Sequence, residues 1–190
     1  MGRVFISMSM SLDGFITRPD ITREHPFGVG GEQIYAWQFD RRTEDDASVV
    51  GKLMQRTGAV IGGGRTYQLA IDGAWGSVNP FSAPVFVLSH SIPDRIVDGF
   101  TFVLDGIESA LTRAKAAAGE KDVWIMGGAN VAQQYLRAGL VDELNIHLAP
   151  VLLGHGIRLF ENIGDGRIGL RHAGLVQTPG ATHIVYDKTL

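Results

Sequence analysis

Two glycine-rich junctions constrain this chain more than any other feature. At the first, the apolar run Ala59–Ile61 ends in three glycines and leads into the helical segment Arg65–Ala70. At the second, Val123–Met126 ends in Gly127-Gly128 and leads into the helical segment Ala129–Ala138. Strands that pass directly into helices are the units from which parallel sheets covered by helices are built.

The other segments continue this alternation of strands and helices. Further strands are predicted at Arg3–Met8, Pro84–Leu88, Phe100–Leu104 and Leu144–Ala149. Further helices are predicted at Glu32–Phe39, at Asp45–Arg56, and between Asp105 as N-cap and Gly119 as the C-terminal stop. Near the end, the extended stretches Ile168–Gln177 and Thr182–Lys188 are separated by a short turn sequence, which is typical of a hairpin.

This order of elements predicts an α/β fold. We expect a three-layer sandwich with a mostly parallel mixed sheet and a C-terminal antiparallel hairpin. A length of 190 residues suits one domain that buries its own core. No linker or repeat divides the chain, so a single domain is predicted over residues 1–190. The glycine-rich stretches 28–31 and 154–156 are expected to form surface loops.

Composition excludes several classes of protein. The chain has no cysteine, which excludes disulfides, thiolate metal sites and cysteine nucleophiles. Its net charge of -3 leaves no overall basic footprint, so we expect no nucleic-acid partner. No apolar run approaches the ~18 residues of a membrane span, so we expect no membrane partner and a cytoplasmic location. The six histidines show no metal-binding spacing, and no metal is expected.

The first junction is typical of a phosphate site. Gly63 and Gly64 let the backbone approach a ligand closely, and the start of a helix presents unpaired N–H groups. Arg65 adds a cation that can hold two phosphate oxygens, with Thr66 beside it. Neither a Rossmann fingerprint nor a Walker A motif is present, so a nucleotide cofactor would be bound in another way.

Two further segments are candidates for the same cofactor. Ligands of open α/β sheets bind at the carboxyl ends of strands, where Gly127, Gly128, Ala129 and Asn130 follow the second junction. Ser89-His90 follows another strand and suits the 2′-phosphate of an NADP-type cofactor. The structural alternatives are glycines that only allow helix–strand packing, and a polar turn at Ser89-His90.

Other polar residues have simpler interpretations. Asp13-Gly14 follows the first strand, where Asp13 could orient a substrate or a proton donor, or form a turn. His147 alternates with apolar residues and is expected on the polar face of a strand. Asp142-Glu143 is expected to be a solvated turn, and Trp37 to lie in the core or in a cleft wall.

The ordered set of motifs resembles the dihydrofolate reductase fold. It is more closely similar to the reductase domain at the C-terminus of the bifunctional riboflavin biosynthesis protein RibD and to its stand-alone bacterial relatives. The matching motifs are Ser11-Leu12-Asp13-Gly14-Phe15-Ile16, Gly64-Arg65-Thr66-Tyr67, Pro84–Ser89, Asp122–Ala129, Leu140–Leu144, Pro150–Gly156 and Leu159-Phe160. They cover nearly the whole chain. Because the chain has no cysteine, we expect it not to carry the zinc-binding deaminase half of RibD.

The resemblance implies an NADPH-dependent reductase. It implies that Gly64, Arg65 and Thr66 hold cofactor phosphates, with Ser89 and His90 near the 2′-phosphate. The segment Gly127–Asn130 would wrap the pyrophosphate and the nicotinamide ribose. The loop containing Asp13, Gly14 and Phe15 would border the nicotinamide and the substrate, and the segment containing Gly154 and Gly156 would form the far wall of the cleft. Family members commonly form homodimers, so a homodimer is expected.

Several functions remain open within this resemblance. The leading hypothesis is hydride transfer from NADPH to a small heterocyclic or sugar-derived substrate, as in 5-amino-6-(5-phosphoribosylamino)uracil reductase of riboflavin biosynthesis. The first alternative is a reductase of a flavin, folate or specialised metabolite. The second is a nucleotide-binding module that has lost turnover.

Overall fold

The structure, a computed structural model, describes residues 2–189. The strands are β1 (Val4–Ser11), β2 (Phe15–Thr17), β3 (Thr57–Gly63), β4 (Val85–Leu88), β5 (Phe100–Val103), β6 (Asp122–Gly127), β7 (Glu143–Ala149), β8 (Ile157–Arg158), β9 (Leu170–Gln177) and β10 (Thr182–Lys188). The helices are α1 (Ala36–Phe39), α2 (Glu44–Arg56), α3 (Gly64–Ala70), α4 (Ile107–Ala118) and α5 (Ala129–Arg137), with a 3₁₀ turn at Gly31–Tyr35 before α1.

Eight strands form one sheet in the order β5-β4-β3-β6-β1-β7-β10-β9. The six strands from β5 to β7 pair in parallel, whereas β10 is antiparallel to both β7 and β9. This confirms the mostly parallel mixed sheet and the C-terminal antiparallel hairpin. Strands β2 and β8 form a separate antiparallel pair. The carboxyl ends of all six parallel strands therefore lie at the same edge of the sheet.

The two faces of the sheet differ in polarity. In β1, the side chains of Val4, Ile6 and Met8 belong to the main apolar core, which also contains residues of α4 and α5. The alternate side chains, such as Ser7 and Ser9, point to the other face because successive residues of a strand alternate. That second face carries a buried polar layer under α1 and α2.

Charged side chains close the amino ends of the strands. Nη1 of Arg3 lies 2.8 Å from Oε2 of Glu143, and Nη2 of Arg56 lies 2.7 Å from Oε1 of the same carboxylate. The Glu143 side chain is only 4% exposed. The expectation of a solvated turn is therefore wrong for Glu143, because two arginines compensate its buried charge.

Two other local expectations differ from the structure. Helix α4 begins at Ile107 with Gly106 as N-cap and no side-chain cap, so the prediction of an Asp105 cap is wrong. Gly106 has a φ of 98°, and the Asp105 carboxylate instead accepts a hydrogen bond from the Ser109 hydroxyl. The predicted helix Glu32–Phe39 is split between the 3₁₀ turn and the single turn α1.

Candidate cofactor and substrate site

The two glycine junctions lie side by side at the carboxyl edge of the sheet. Strands β3 and β6 are neighbours, and Gly62 is the register partner of Gly127. The backbone N–H of Gly128 donates a hydrogen bond to Oγ1 of Thr66 over 3.2 Å. The hydroxyl of Thr66, which follows the first junction, is thus bonded to the backbone amide of Gly128 in the second junction. This hydrogen bond joins two segments that are far apart in sequence.

Glycines allow close packing at two positions of this edge. Gly127 has a φ of 111°, and a Cβ atom there would lie 2.6 Å from Cε of Met8. A Cβ atom on Gly64 would lie 2.9 Å from Oγ of Ser89. The start of α3 therefore rests against the residue that follows β4, which brings the third predicted cofactor segment to the same place. Both contacts are with side-chain ends that can move, so the positive φ of Gly127 is the stronger requirement for glycine.

The rim of this edge carries polar groups that face solvent. Arg65 is exposed, and its guanidinium forms no salt bridge or side-chain hydrogen bond within residues 2–189. His90 and Asn130 are also exposed. The Asn130 Oδ1 accepts a hydrogen bond from Gln134 over 2.7 Å. A free guanidinium beside close-packed backbone is suited to an anionic ligand.

Asp13 organises the other half of the edge, where β1 and β7 end. Its Oδ1 accepts hydrogen bonds from the Ser11 hydroxyl over 2.6 Å and from the Leu153 N–H over 3.1 Å. Its Oδ2 accepts from the N–H of Gly154 over 2.7 Å. The hydrogen bond from Ser11, helped by those from Leu153 and Gly154, lowers the pKa of Asp13 to about 2. The carboxylate is therefore ionised at neutral pH and fastens the loop after β7 to the end of β1.

Two arginines strengthen the same connection. The Arg158 Nη1 donates to the carbonyl oxygen of Asp13 over 2.9 Å, and the Arg18 Nη1 donates to the carbonyl oxygen of Leu153 over 2.8 Å. Above this connection, Leu12 and Leu152 are more than half exposed. This half of the edge thus combines a hydrogen-bonded polar base with an apolar rim.

The other predicted cleft residues occupy different positions in this half. Phe15 is buried beside Leu153, with the Arg158 guanidinium 4.3 Å from its ring centroid. It therefore supports the loop from below. Gly14 and Gly154 have φ values of 90° and 77°. A Cβ atom on Gly156 would collide with the Thr17 carbonyl oxygen, which explains the close approach of this loop to β2.

A buried polar layer beside this site was not identified from the sequence. His147 forms hydrogen bonds with Ser7 and His183, and His183 also bonds Asp46 on α2. Trp37 donates from Nε1 to the hydroxyl of Ser9 over 3.0 Å. His147 does lie on the polar face of its strand, but that face is covered. The polar residues at alternate positions of β1 and β7 were the available signal.

The described part of the chain has neither a membrane-spanning helix nor a metal-binding cluster of side chains. Between residues 2 and 189, no helix has the length and apolar character needed to cross a membrane. Over the same range, no group of three or more His, Asp or Glu side chains is arranged to hold a metal ion.

Comparison with known proteins gives one family match. The RibD C-terminal domain family matches residues 3–184. The chain is 36% identical to the uncharacterized protein YyaP of Bacillus subtilis over 89 residues, which span 45% of each protein. It is 26% identical to the uncharacterized protein YwjB of the same organism over 98% of both chains.

Solved structures with low sequence identity share the fold. A putative riboflavin biosynthesis protein from Shewanella sp. PV-4 has a TM-score of 0.76 at 21% identity over 99% of both chains. Dihydrofolate reductase from Enterococcus faecalis, solved with NADP(H), has a TM-score of 0.63 at 16% identity, covering 98% of this chain and 96% of the other. The deaminase and 5-amino-6-(5-phosphoribosylamino)uracil reductase of Thermotoga maritima has a TM-score of 0.68 at 14% identity; the match covers 99% of this chain and 57% of that protein.

Proposed function

This chain belongs to the RibD C-terminal domain family, and we propose that it is an NADPH-dependent reductase of a small heterocyclic substrate. The substrate would be of the type reduced by 5-amino-6-(5-phosphoribosylamino)uracil reductase. One observation carries the proposal: three segments meet at one sheet edge, through the Thr66–Gly128 hydrogen bond and the Gly64–Ser89 contact, beside the free guanidinium of Arg65.

The cofactor would lie along this edge. Gly63, Gly64, Arg65 and Thr66 would hold its phosphates, and Ser89 with His90 would lie near the 2′-phosphate. The segment Gly127–Asn130 would wrap the pyrophosphate and the nicotinamide ribose. NADPH, when bound, supplies the hydride, while the protein positions it and excludes water. A relative of the same fold, the dihydrofolate reductase of Enterococcus faecalis, was solved with NADP(H), which supports this choice of cofactor.

In this proposal Asp13 positions the substrate wall and gives up no proton. A carboxylic acid with a pKa of about 2 is ionised near neutral pH, and three donors of the protein already occupy its oxygens. Asp13 would keep Gly14 and Gly154 in place around the nicotinamide and the substrate. The proton that accompanies the hydride would come from water near Asp13 or from bulk solvent.

Titration of tryptophan fluorescence with NADPH tests the cofactor. We expect saturable binding, and absence of binding at millimolar NADPH would overturn the proposal. Arg65→Ala should weaken NADPH binding about tenfold or more, since a hydrogen bond to a charged group contributes roughly 1.5–3 kcal/mol. Arg167→Ala, a change of an exposed arginine in the loop before β9, is the matched control and should bind normally. A greater loss for NADPH than for NADH would place Arg65 at the 2′-phosphate.

Turnover assays test the substrate. Oxidation of NADPH would be followed with the ribosylaminopyrimidine intermediate, dihydrofolate and a flavin in parallel. We expect the pyrimidine to give the highest kcat/KM. Faster turnover of another substrate would reassign the substrate class, and binding without turnover of any of them would favour a non-catalytic module.

We also propose that residues 1–190 act as one domain in the cytoplasm and form a homodimer. Strand β9 is the last strand of the sheet, and Leu170 and Leu175 on it are 43% and 57% exposed. An open strand with exposed apolar residues is suited to pairing with a second copy. Light scattering after gel filtration would give the mass of a dimer, and a monomer at all concentrations would contradict this.

A further inference from the structure

Four polar side chains form a buried chain between the sheet and α2 that the proposed reaction does not use. Oγ of Ser7 lies 2.9 Å from Nε2 of His147. Nδ1 of His147 lies 2.8 Å from Nδ1 of His183, and Nε2 of His183 lies 2.8 Å from Oδ1 of Asp46. None of the four residues is more than 7% exposed.

Asp46 determines the direction of the hydrogen bonds in this chain. Burial acts to raise the pKa of Asp46, but hydrogen bonds donated by Thr43 and His183 outweigh it and lower the pKa to about 2. The ionised carboxylate can only accept, so Nε2 of His183 donates to it. A neutral His183 then accepts at Nδ1 from His147, whose Nε2 accepts from the Ser7 hydroxyl.

One added proton reverses the two hydrogen bonds farther from Asp46. If His183 takes the proton, both of its ring nitrogens donate, and Nδ1 of His147 must accept. His147 then carries its own proton on Nε2, which donates to the Ser7 oxygen. The chain thus gains a proton without losing a hydrogen bond, and an imidazolium–carboxylate pair forms at 2.8 Å between His183 and Asp46.

A second added proton cannot be accommodated in this geometry. If both imidazoles were charged, two Nδ1–H groups would face each other across 2.8 Å with no acceptor between them. Burial and the neighbouring His183 both lower the pKa of His147, to about 3. His147 and His183 together can therefore take up one added proton but not two.

The surroundings of the pair contain one formal charge. Helix α2 contributes Asp46, β1 contributes the neutral hydroxyls of Ser7 and Ser9, and α1 contributes the neutral ring of Trp37. The Trp37 ring centroid lies 4.8 Å from that of His147 and 4.7 Å from that of His183. Glu143, on the same strand as His147, is instead paired with Arg3 and Arg56.

We propose that Asp46, His183, His147 and Ser7 form a one-proton switch. Uptake of a proton at His183 changes His147 from its Nδ1–H to its Nε2–H tautomer and reverses the Ser7 hydroxyl, while α1 and α2 stay in place on the sheet. The switch places a positive charge beside Trp37, whose indole ring attracts cations. This inference is independent of the reductase proposal.

Nitrogen-15 NMR of the histidine rings in the full chain tests the switch. The protein is brought from about pH 8 to about pH 5, and the added proton should leave both ring nitrogens of His183 as donors. The two ring nitrogens of His147 should exchange their protonated and unprotonated chemical shifts in the same transition. A His147 tautomer that stays constant while His183 titrates, or no titration of either ring before unfolding, would overturn the proposal.

A variant separates the switch from general effects of pH. His183→Gln keeps an amide donor for Asp46 and a carbonyl acceptor for His147, but it takes up no proton in this range. In the wild type, we expect the added charge on His183 to quench the fluorescence of Trp37, whose ring centroid lies 4.7 Å away. In the variant, we expect His147 to stay in the Nδ1–H form and this quenching to be absent. His172→Gln, at an exposed histidine of β9, is the control and should keep both effects. Tautomer exchange that persists in His183→Gln would contradict the mechanism, and if that variant does not fold, the wild-type NMR result decides alone.

Discussion

The two ends of the parallel strands are built in opposite ways. At the amino ends, Arg3 and Arg56 are paired with acidic side chains of β6, β7 and β10. The Arg56 guanidinium also lies 4.2 Å from the centroid of the Phe5 ring. At the carboxyl ends, glycines and hydroxyls lie close together, and Arg65 has no ionic partner within the part of the chain that the structure describes.

We propose that this difference separates residues that stabilise the fold from residues that bind a ligand. The charged side chains at the amino ends form ion pairs with one another. These pairs hold neighbouring strands together and leave no unpaired charge among them for a ligand. At the carboxyl ends the Arg65 guanidinium has no ionic partner in the described part of the chain, and we propose that this edge binds an anionic ligand. Substitutions at the two ends should therefore change different measured quantities.

The largest expected effect concerns the polar layer between the two ends. Because the pKa of His147 is about 3 in the folded state and ~6.5 in the unfolded state, the unfolded chain binds more protons between these values. The free energy of unfolding should therefore fall as the pH drops from ~6.5 towards 3, by up to ~1.4 kcal/mol per pH unit. Urea unfolding at several pH values measures the slope.

His147→Gln supplies the comparison for this slope. The variant should be less stable at neutral pH and should show a smaller pH dependence, whereas His172→Gln should follow the wild type. If the wild-type free energy of unfolding did not change with pH across this window, the polar layer would make no pH-dependent contribution to stability. The two ends of the strands would then be the only regions of the sheet with distinct roles.

Gly127→Ala should cause the next largest change, at the carboxyl end. Its φ of 111° and the nearby Cε of Met8 leave no unstrained place for a Cβ atom. We expect a loss of about 2 kcal/mol in the free energy of unfolding together with weaker NADPH binding. Gly128→Ala is the matched control for stability, because its Cβ atom would meet Oγ1 of Thr66 at 3.7 Å, an ordinary contact. Equal destabilisation by both variants would argue against a specific backbone requirement at Gly127.

Glu143→Gln tests the amino end. Loss of the buried carboxylate leaves two arginines without their shared partner, and we expect the free energy of unfolding to fall by about 2 kcal/mol. This is below the effect of breaking a fully buried pair because Arg3 and Arg56 are 45% and 31% exposed. Calorimetric titration with NADPH should give an unchanged Kd. Weaker cofactor binding by this variant would break the proposed separation.

Asp13→Asn should change stability least and activity most selectively. The amide keeps the shape of the side chain but has only one acceptor oxygen, so its NH2 group cannot accept from the N–H of Gly154 when the oxygen accepts from Ser11 and Leu153. We expect kcat/KM to fall about tenfold through misplacement of the cleft wall, with a similar Kd for NADPH.

The pH dependence provides a second check on Asp13. Because its pKa is lowered to about 2 in the folded protein, the loop contacts should persist above ~4, the ordinary value, and weaken only as the pH falls towards 2. A step in kcat/KM near neutral pH that Asp13→Asn abolishes would instead make Asp13 a proton donor.

The sequence was most informative where a local pattern decides the structure. Apolar runs followed by glycine and helical spacing located β3, α3, β6 and α5, and the alternating segments near the end located the hairpin. The glycines Gly127 and Gly64 were predicted to let the backbone approach a ligand, and this stays a prediction. In the structure a Cβ atom at these positions would lie close to the side chains of Met8 and Ser89.

Where two local signals compete, the sequence pattern alone did not predict the local structure. Asp105 with Glu108 resembled a capping box, but Gly106 takes the N-cap position with a positive φ. Asp142-Glu143 resembled an exposed turn, because nothing in the neighbouring sequence shows that Arg3 and Arg56 converge on Glu143. The partners of a buried charge lie far away in the chain, and no local window contains them.

The amino-acid sequence alone therefore determined the alternation of elements, the fold class and the glycine junctions, because these depend on residues close together in the chain. Only the tertiary structure decided that Asp13 fastens the loop after β7, that Thr66 meets Gly128, and that His147 and His183 share one buried site. Each of these contacts joins residues at least 36 positions apart. Their geometry is set by the strand order of the sheet, which brings β1 between β6 and β7 and places β10 beside β7.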